Sequence, residues 1–378
     1  MNIDSESAAV ATLEPDTEQV EGLDNRPGSG WDNYPLDSVF VRTDQRTAGE
    51  VAKRIQADRY VLNPEFQRDF VWDPEKQSRL IESCVMRLPL PVFYVAEAKD
   101  GRIIVVDGLQ RLTTFQRFFK DELKLELKSD GPGKKNPLHG LRFKDLPLHL
   151  QERIEDTQLI LYILDSKAPE QARLDIFERV NGGVPLTRQQ MRNCLYSGPA
   201  TEWLKDQARS EEFKIATGGT FDWRKMRDRE AVNRYCAFAL NDWESYPDGD
   251  MDAFLGQTLE RMNAASPSEL NTLRVDFRRS MEINSRLFGR HAFRKSLVTP
   301  EGGRSPLNIA LFDAASVVLA QYSEAAMDEH EEELREAIQE LLYTGDFVDA
   351  IGHSTNGRRQ VLARLRLMKD TVRAALKC

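Results

Sequence analysis

The order of apolar and polar positions divides the chain into a mixed part and a helical part. Between residues 38 and 198, short apolar runs typical of strands alternate with segments of helical period. Strands are predicted at 39–41, 92–95, 103–106 and 159–164, with a half-exposed strand at 123–127 where leucines alternate with charged residues. Beyond about residue 200 the helical period dominates, over 229–242, 250–264, 268–288, 306–320, 328–343 and 358–376. The pattern predicts an α+β protein, with a mixed α/β domain over 36–198 and an all-helical domain over 199–378.

Capping signals place the helices of the mixed part. Thr47 and Glu50 have capping-box spacing at the start of a helix over 47–57. Asp73 and Pro74 predict the first turn of a helix that runs to about Arg87. Two more helices are predicted over 169–177 and 188–196, the second capped by Thr187.

The joint after the strand at 103–106 is the first candidate for chemistry. Asp107 and Gly108 follow the strand, and a helical segment begins directly after them. Such a joint leaves backbone N–H groups and the positive end of the helix dipole available, and with Arg111 it could hold a phosphate. A plain capped helix explains the same residues, with Asp107 as the cap and Arg111 paired to a surface carboxylate.

Composition is that of a soluble globular protein of two or three domains. The chain has 378 residues, of which 40% are hydrophobic and 30% charged. A membrane span is not expected because no run of about 18 apolar residues occurs. Secretion is not expected either, because the N-terminus has no basic-then-apolar pattern. The four cysteines are scattered, which argues against a zinc site or a disulfide framework, so a cytoplasmic protein is predicted.

Charge is concentrated at the N-terminus. The whole chain carries −9, and eight acidic residues against one arginine give residues 1–35 a net charge of −7. This segment is also rich in Ser, Gly and Pro, so it is predicted to be a disordered acidic arm. It is either a solubilising arm or a shield for a basic surface. The rest of the chain is nearly neutral, so any binding of nucleic acid depends on a local patch.

Two further segments could contact a ligand. Gln67 and Arg68 precede Trp72, a combination that could bind a phosphate or stack on a base. A surface ion pair over a packed tryptophan is the alternative. Asn181 opens a glycine pair whose backbone permits close approach to a ligand, and a plain joint between two helices explains it equally well.

Basic residues cluster twice in the helical part, where they predict either a DNA-binding surface or an ordinary solvated face. The first cluster, with Phe288 and Phe293 interleaved, comprises Arg286, Arg290, His291, Arg294, Lys295 and Arg304. The second comprises Arg358, Arg359, Arg364 and Arg366.

Other enzyme signatures are weak or absent. Glu122–Lys124 and Glu126–Lys128 have the E-x-K form of metal-dependent nuclease strands, with Asp107 as a further metal ligand, although alternating charges on an exposed strand look the same. The sequence contains neither a G-x-x-x-x-G-K-[ST] nor a G-x-S-x-G motif. The segment 353–356 has one histidine and one asparagine without a second histidine, which argues against a His-Asn-His nuclease.

Three segments together carry a resemblance to a known family. They are 66–72 (FQRDFVW), 106–114 (VDGLQRLTT) and 177–186 (FERVNGGVPL). In order and spacing from about 45 to 197, they resemble the GmrSD-type family, also called domain of unknown function 262, whose hallmark is Asp-Gly-Gln-Gln-Arg-Leu-Thr-Thr. Residues 287–295 also resemble the helical extension found in many members.

The resemblance implies a ParB and sulfiredoxin-like α/β core with the hallmark at a nucleotide-phosphate joint. Relatives act in bacterial defence against phage DNA. They hydrolyse nucleotides and resemble restriction components that recognise modified DNA, usually with a His-Asn-His nuclease domain. Since that domain is not evident here, cutting would need a separate nuclease subunit or another site.

Carried over by position, Asp107, Gly108, Gln110 and Arg111 match the hallmark, and Leu109 replaces an expected glutamine. The loss of that amide could weaken hydrolysis while phosphate binding is kept.

The resemblance implies a nucleoside triphosphate as substrate. Backbone N–H groups near Gly108 and the Arg111 guanidinium would hold its phosphates, Asp107 would position Mg²⁺ or its water, Gln110 would orient the attacking water, and Arg68 would neutralise charge. Further nucleotide contacts are assigned to Gln67, Thr113, Thr114 and Asn181, and DNA contacts to Arg286, Arg290, Arg294 and Lys295.

Two other functions remain open at this point. One is a non-catalytic, nucleotide-gated DNA-binding regulator. The other is a magnesium-dependent DNA nuclease that uses Asp107 with the E-x-K segment. Self-association into a homo-oligomer is also left open.

Overall fold

The structure is a computed structural model of the chain. It describes residues 20–23, 41–62, 72–98, 100–128, 136–168, 170–180, 187–247, 249–299 and 301–377. The predictions made for Gln67, Arg68 and Asn181 lie outside the described residues.

A five-stranded mixed sheet forms the centre of the N-terminal part. Its strands are β1 (Val41–Thr47), β2 (Tyr60–Val61), β3 (Phe93–Glu97), β4 (Ile103–Asp107) and β5 (Gln158–Leu164), in the order β1-β5-β3-β4-β2. β5 runs antiparallel to β1 and parallel to β3, while β4 runs antiparallel to β3 and parallel to β2. β3 and β4 are consecutive antiparallel strands, so the end of β4 lies beside the start of β3.

Helices cover both faces of this sheet. They are α1 (Ala48–Gln56), α2 (Pro74–Val85), α3 (Leu109–Phe119), α4 (Leu148–Glu155), α5 (Glu170–Val180) and α6 (Arg188–Leu195). Ile103 and Val105 pack in the core formed with α1 to α4. Ile104 and Val106 pack in a smaller core with residues of α5 and α6. The alternation along β4 therefore buries both faces of the strand.

The predicted caps start these helices. The backbone N–H of Glu50 donates to Thr47 Oγ1 at 3.1 Å, and that of Lys76 donates to Asp73 Oδ1 at 2.7 Å. Thr187 completes a capping box with Gln190 at the start of α6. These three cap predictions are confirmed.

The C-terminal part is helical. Its helices are α7 (Pro199–Ala208), α8 (Glu211–Thr217), α9 (Arg227–Leu240), α10 (Met251–Ala264), α11 (Pro267–Phe288), α12 (Ile309–Leu319), α13 (Glu324–Glu329), α14 (Glu331–Leu341), α15 (Gly345–Gly352) and α16 (Arg358–Ala375). All eleven residues of α12 are buried, and α9, α11, α15 and α16 pack against it. The predicted α+β class, with the sheet first and the helices after it, is confirmed.

Several segments differ from the sequence prediction. β1 shares only Val41 with the predicted strand at 39–41, whose first two residues lie outside the described residues. Residues 122–128 have the predicted alternation of buried leucines and exposed charged residues, but they do not join the sheet. Leu125 instead exchanges backbone hydrogen bonds with Leu141 and Gly140, at 3.0 and 2.8 Å. Residues 20–23, assigned from the sequence to a disordered arm, are ordered against the helical part. Within the described residues, no helix combines the length and apolar character needed to cross a bilayer.

Candidate functional site

The joint between β4 and α3 is built on a glycine with a left-handed backbone. Gly108 is the N-cap of α3, with φ +100° and ψ 8°, and within the described residues no side chain caps the helix. A Cβ at this position would lie 2.3 Å from Phe93 Cδ1. Both the backbone angle and the contact with Phe93 therefore require glycine. The first backbone N–H groups of α3 lie at this joint, at the positive end of the helix dipole.

The Arg111 guanidinium is mostly buried and bonds groups of the joint and of the chain beside it. Its Nη2 lies 2.7 Å from Asp107 Oδ2, and it also donates to the backbone carbonyls of Pro91 and Val92. Its Cζ lies 4.2 Å from the centre of the Phe93 ring. Burial lowers the pKa of Arg111, and the Asp107 carboxylate acts in the opposite direction. Arg111 therefore holds Asp107 and the chain leading into β3.

Asp107 does not cap α3, as the capped-helix interpretation of this joint required. Its side chain is 40% exposed, and it bonds Arg111 rather than capping the N–H groups of α3. Arg111 in turn pairs within the motif, not with a separate surface carboxylate. Asp107 and Arg111 thus pair with each other inside the motif, and this pair fixes the partly exposed Asp107 carboxylate at the joint.

Gln110 connects the joint to the segment that precedes α2. Its Oε1 accepts the backbone N–H of Trp72 at 3.2 Å, and Gln77 Nε2 donates to the Trp72 carbonyl at 2.5 Å. The segment that precedes α2 and the hallmark segment therefore meet at Trp72.

The other hallmark side chains are buried or half-buried, and one of them bonds a backbone carbonyl of α3. Leu109 is 6% exposed and belongs to the core between the sheet and α1 to α4. Thr114 is 1% exposed, and its hydroxyl donates to the Gln110 carbonyl at 2.7 Å. Thr113 is half-buried. The apolar residue at position 109 thus fits its surroundings as a core side chain.

A cleft of about 480 Å³ opens beside the first turn of α3. Its lining includes Trp72, Lys76, Arg79, Pro91 and Arg111. Lys76 Nζ lies 4.9 Å from the centre of the Trp72 ring, and Arg79 pairs with Glu75 at 2.8 Å. An aromatic ring with two exposed cations suits a flat, negatively charged ligand. Sequence reasoning missed Lys76 and Arg79, although their three-residue spacing on the helix after Trp72 could have indicated them.

Partly buried ion pairs connect α5 and α6 to the helical part. Arg188 bonds Asp175 at 2.9 Å and reaches Asp252 of α10 at 3.2 Å. Arg192, which is 1% exposed, also bonds Asp252 and donates to Gln189 Oε1 at 2.8 Å. This connection between the two parts of the chain was not predicted from the sequence.

Carboxylates do not gather into a metal centre in the part of the chain that is described. There, no group of three or more His, Cys, Asp or Glu side chains could hold a metal ion. In the E-x-K segment, Lys128 pairs with Glu75 of α2 at 2.7 Å, and its acidic residues remain exposed on an extended segment. Asp107 is therefore a single candidate ligand at the joint.

The first basic cluster is only partly a surface. Arg294 is 1% exposed and bonds Thr220 Oγ1 at 2.6 Å, so its predicted role as a DNA contact does not fit its position. Arg286 pairs with Asp328 at 2.7 Å, and Lys295 pairs with Glu21 at 2.5 Å. Arg290 and Arg304 are exposed. The interleaved aromatic residues belong to the core, where Phe293 is fully buried and Phe288 is 9% exposed.

The second basic cluster is divided in the same way. Arg364 is fully buried and bonds Asp313 Oδ2 at 2.7 Å, and Arg234 bonds the same carboxylate at 2.6 Å. Arg358, Arg359 and Arg366 remain exposed. Because α9, α12 and α16 each contribute one charge, this buried network connects three helices of the core.

Comparison with known proteins identifies the N-terminal part. Residues 49–197 match the family described as GmrSD restriction endonuclease, N-terminal domain. Over this range the chain is similar to the GmrSD-type family, and the resemblance predicted from the three motifs is confirmed. No curated protein and no solved structure gives a significant match to the chain.

Proposed function

We propose that this chain is a component of a bacterial restriction system against phage, which binds and hydrolyses a nucleoside triphosphate beside the β4–α3 joint. Hydrolysis is coupled to recognition or cleavage of DNA, together with a separate nuclease subunit. The observation that carries the proposal is the N-terminus of α3, which begins at a glycine and opens beside a cleft with exposed Lys76 and Arg79. The restriction context comes from the match over residues 49–197.

The cleft and the adjoining β4–α3 joint would together supply both kinds of contact that a nucleotide needs. Phosphate oxygens would accept hydrogen bonds from the first N–H groups of α3, where the dipole favours negative charge. Lys76 and Arg79 would neutralise the remaining phosphate charge. The Trp72 ring offers a face for the base, since an aromatic ring stacks on any base. Arg68 and Gln67 stay in the proposal as contacts from the segment just before Trp72.

Asp107 is proposed to position Mg²⁺ or its water. The carboxylate is partly exposed and is held in place by Arg111, which suits a ligand that must keep one orientation. Mg²⁺ is commonly held by one or two carboxylates together with substrate phosphates and water, so a single carboxylate fits a site completed by the nucleotide. When bound, the ion would polarise the phosphate and lower the barrier to attack by water.

The remaining hallmark residues divide into reacting and positioning groups. Gln110 would orient the attacking water. The Gln110 amide would then bond this water in addition to the N–H of Trp72. Arg111 is proposed as a positioning residue, because its guanidinium is bonded to two carbonyls and to Asp107. Thr113 and Asn181 remain proposed nucleotide contacts. The Thr114 hydroxyl is used within α3, so it acts through the helix rather than on the ligand.

A nucleotide-gated regulator without hydrolysis is the second candidate. It is favoured by the engagement of both Gln110 and Arg111 in bonds that support the joint. A nuclease built on Asp107 and the E-x-K segment has no comparable support, because that segment lies outside the sheet and pairs through Lys128 with α2.

Phosphate release and nucleotide binding by the purified chain test the proposal. Each common nucleoside triphosphate is supplied with Mg²⁺, in the presence and absence of DNA, and binding is followed with a fluorescent analogue. We expect Asp107→Asn to abolish turnover while binding is kept. Turnover without any loss in Asp107→Asn would contradict the assigned role, and binding without turnover by the wild type would favour the regulator.

A matched pair of variants tests the cleft. Arg79→Ala removes an exposed arginine paired with a glutamate four residues earlier, and Arg54→Ala removes the same kind of pair on α1. We expect nucleotide affinity to fall about tenfold in Arg79→Ala, which corresponds to about 1.4 kcal/mol, and to stay unchanged in Arg54→Ala. Equal affinities of the two variants would exclude the cleft as the nucleotide site.

A further inference from the structure

A short piece of the acidic N-terminal segment is docked on the helical part. The backbone N–H of Glu21 donates to the Leu307 carbonyl at 2.8 Å, and that of Ile309 donates to the Glu21 carbonyl at 3.0 Å. The Glu21 carboxylate lies 2.5 Å from Lys295 Nζ. Residues 20–23 thus form a short parallel β-bridge, through Glu21 and Asn308, with the segment that leads into α12. We call residues 20–23 the anchor.

The anchor fits its site closely. Gly22 has φ +83°, and a Cβ there would lie 3.0 Å from Ile309 Cγ2 and 3.4 Å from Thr355 Oγ1. Val20 and Leu23, on either side, pack against the main helical core. Backbone pairing, an ion pair and two apolar contacts within four residues make this a specific docking contact.

The anchor connects the acidic N-terminal segment to the first basic cluster. Lys295 belongs to that cluster, and Arg290 and Arg304 lie exposed in the adjoining segments. We call these three residues the Lys295 surface. Four further acidic residues lie within seven positions of the anchor, namely Glu14, Asp16, Glu18 and Asp24. Seven residues span at most about 25 Å, so these carboxylates cannot move far from Lys295.

We propose that the acidic segment 1–35 competes with DNA for the Lys295 surface, and that the anchor keeps it there in the free protein. This inference rests on the DNA-binding part of the proposed function. A tethered segment competes at an effective concentration of the order of millimolar, far above that of any DNA site. DNA with enough additional contacts displaces the segment, and the freed Lys295 becomes a phosphate contact.

The competition has a defined salt dependence. Binding of duplex DNA weakens with salt in proportion to the number of phosphates neutralised, with a slope of about −0.9 for each. When the acidic segment occupies the surface, binding of DNA releases fewer ions, because the segment already neutralises the cations. Release of the segment should therefore strengthen binding most at low salt and make its salt dependence steeper.

Two variants of the full chain, compared with wild type on a 30-bp duplex probe, test the inference. Gly22→Val blocks docking through the contact with Ile309 and leaves the charge unchanged. The combined change Glu14→Gln, Asp16→Asn, Glu18→Gln and Asp24→Asn keeps the anchor and removes four negative charges. A valine at Gly345, which has an ordinary φ and open space around its Cβ, is the control for a glycine change elsewhere in the helical part.

We expect both variants to bind the duplex about tenfold more tightly than wild type at 50 mM salt, with the difference lost by about 300 mM, and the control to match wild type. If both bind with wild-type affinity and salt slope, the inference is overturned while DNA binding itself stands. If no variant binds DNA at any salt concentration, the DNA-binding part of the proposed function fails, and the competition fails with it. The charge-neutralised chain decides the question if Gly22→Val does not fold.

Discussion

Replacement of Gly108 by alanine tests the central geometric feature of the site. Gly108 has φ +100°, and its substituent would meet the Phe93 ring at 2.3 Å. Gly101, in the turn between β3 and β4, has φ +81° and open space where its Cβ would be. The two glycines therefore share the backbone requirement, and only Gly108 adds the steric contact.

The two costs can be worked out separately. A left-handed backbone costs a non-glycine residue about 1–2 kcal/mol. Forcing an extra carbon into a packed core costs about 1–3 kcal/mol more. We therefore expect Gly101→Ala to lose about 1–2 kcal/mol of unfolding free energy and Gly108→Ala about 2–5 kcal/mol.

Urea unfolding of both variants, with the midpoint and the slope fitted, measures the difference. A double-mutant cycle with Phe93→Ala isolates the contact, since Gly108→Ala should cost no more than Gly101→Ala once the ring is removed. Equal losses for Gly108→Ala and Gly101→Ala in the wild-type background would refute the argument that Phe93 makes glycine obligatory.

Three further predictions concern stability. Asp313→Asn leaves the buried Arg234 and Arg364 without their shared carboxylate, so we expect a loss of about 3–5 kcal/mol in urea unfolding; a loss below 1 kcal/mol would contradict this. Burial raises the pKa of Asp228 to about 6, from about 3.9 in an unfolded chain. The folded protein thus holds that proton more tightly, and stability should fall as pH rises from about 4 to about 6. Unfolding midpoints between pH 4 and 8 should show this fall in wild type and a weaker one in Asp228→Asn, which should be the more stable protein at pH 7. Thr187→Ala removes the cap of α6 and should cost about 0.5–2 kcal/mol, measured as a lowered melting temperature.

Signals that act over a few residues were read correctly from the sequence. The caps at Thr47, Asp73 and Thr187 depend on a hydrogen bond to an N–H three residues later, and each formed as predicted. β3, β4 and β5 were located because buried strands require apolar runs of a characteristic length. β1 is largely polar and shares only Val41 with the strand predicted at 39–41. The two-residue strand at 60–61 and the short helices α7, α8 and α15 were missed, since their patterns are too brief to separate from a loop.

The sequence alone determined the α+β class, the strand-glycine-helix joint at Asp107 and Gly108, and the resemblance of residues 49–197 to the GmrSD N-terminal domain. Only the tertiary structure decided what the charged side chains do. Arg111 finds its carbonyl partners 19 and 20 residues away, and Arg294 finds Thr220 at a separation of 74 residues. A long cation can bond a distant backbone or remain in water, and its neighbours in sequence do not distinguish the two. For the same reason the sequence did not predict the ion pair between Glu21 and Lys295, which are 274 residues apart.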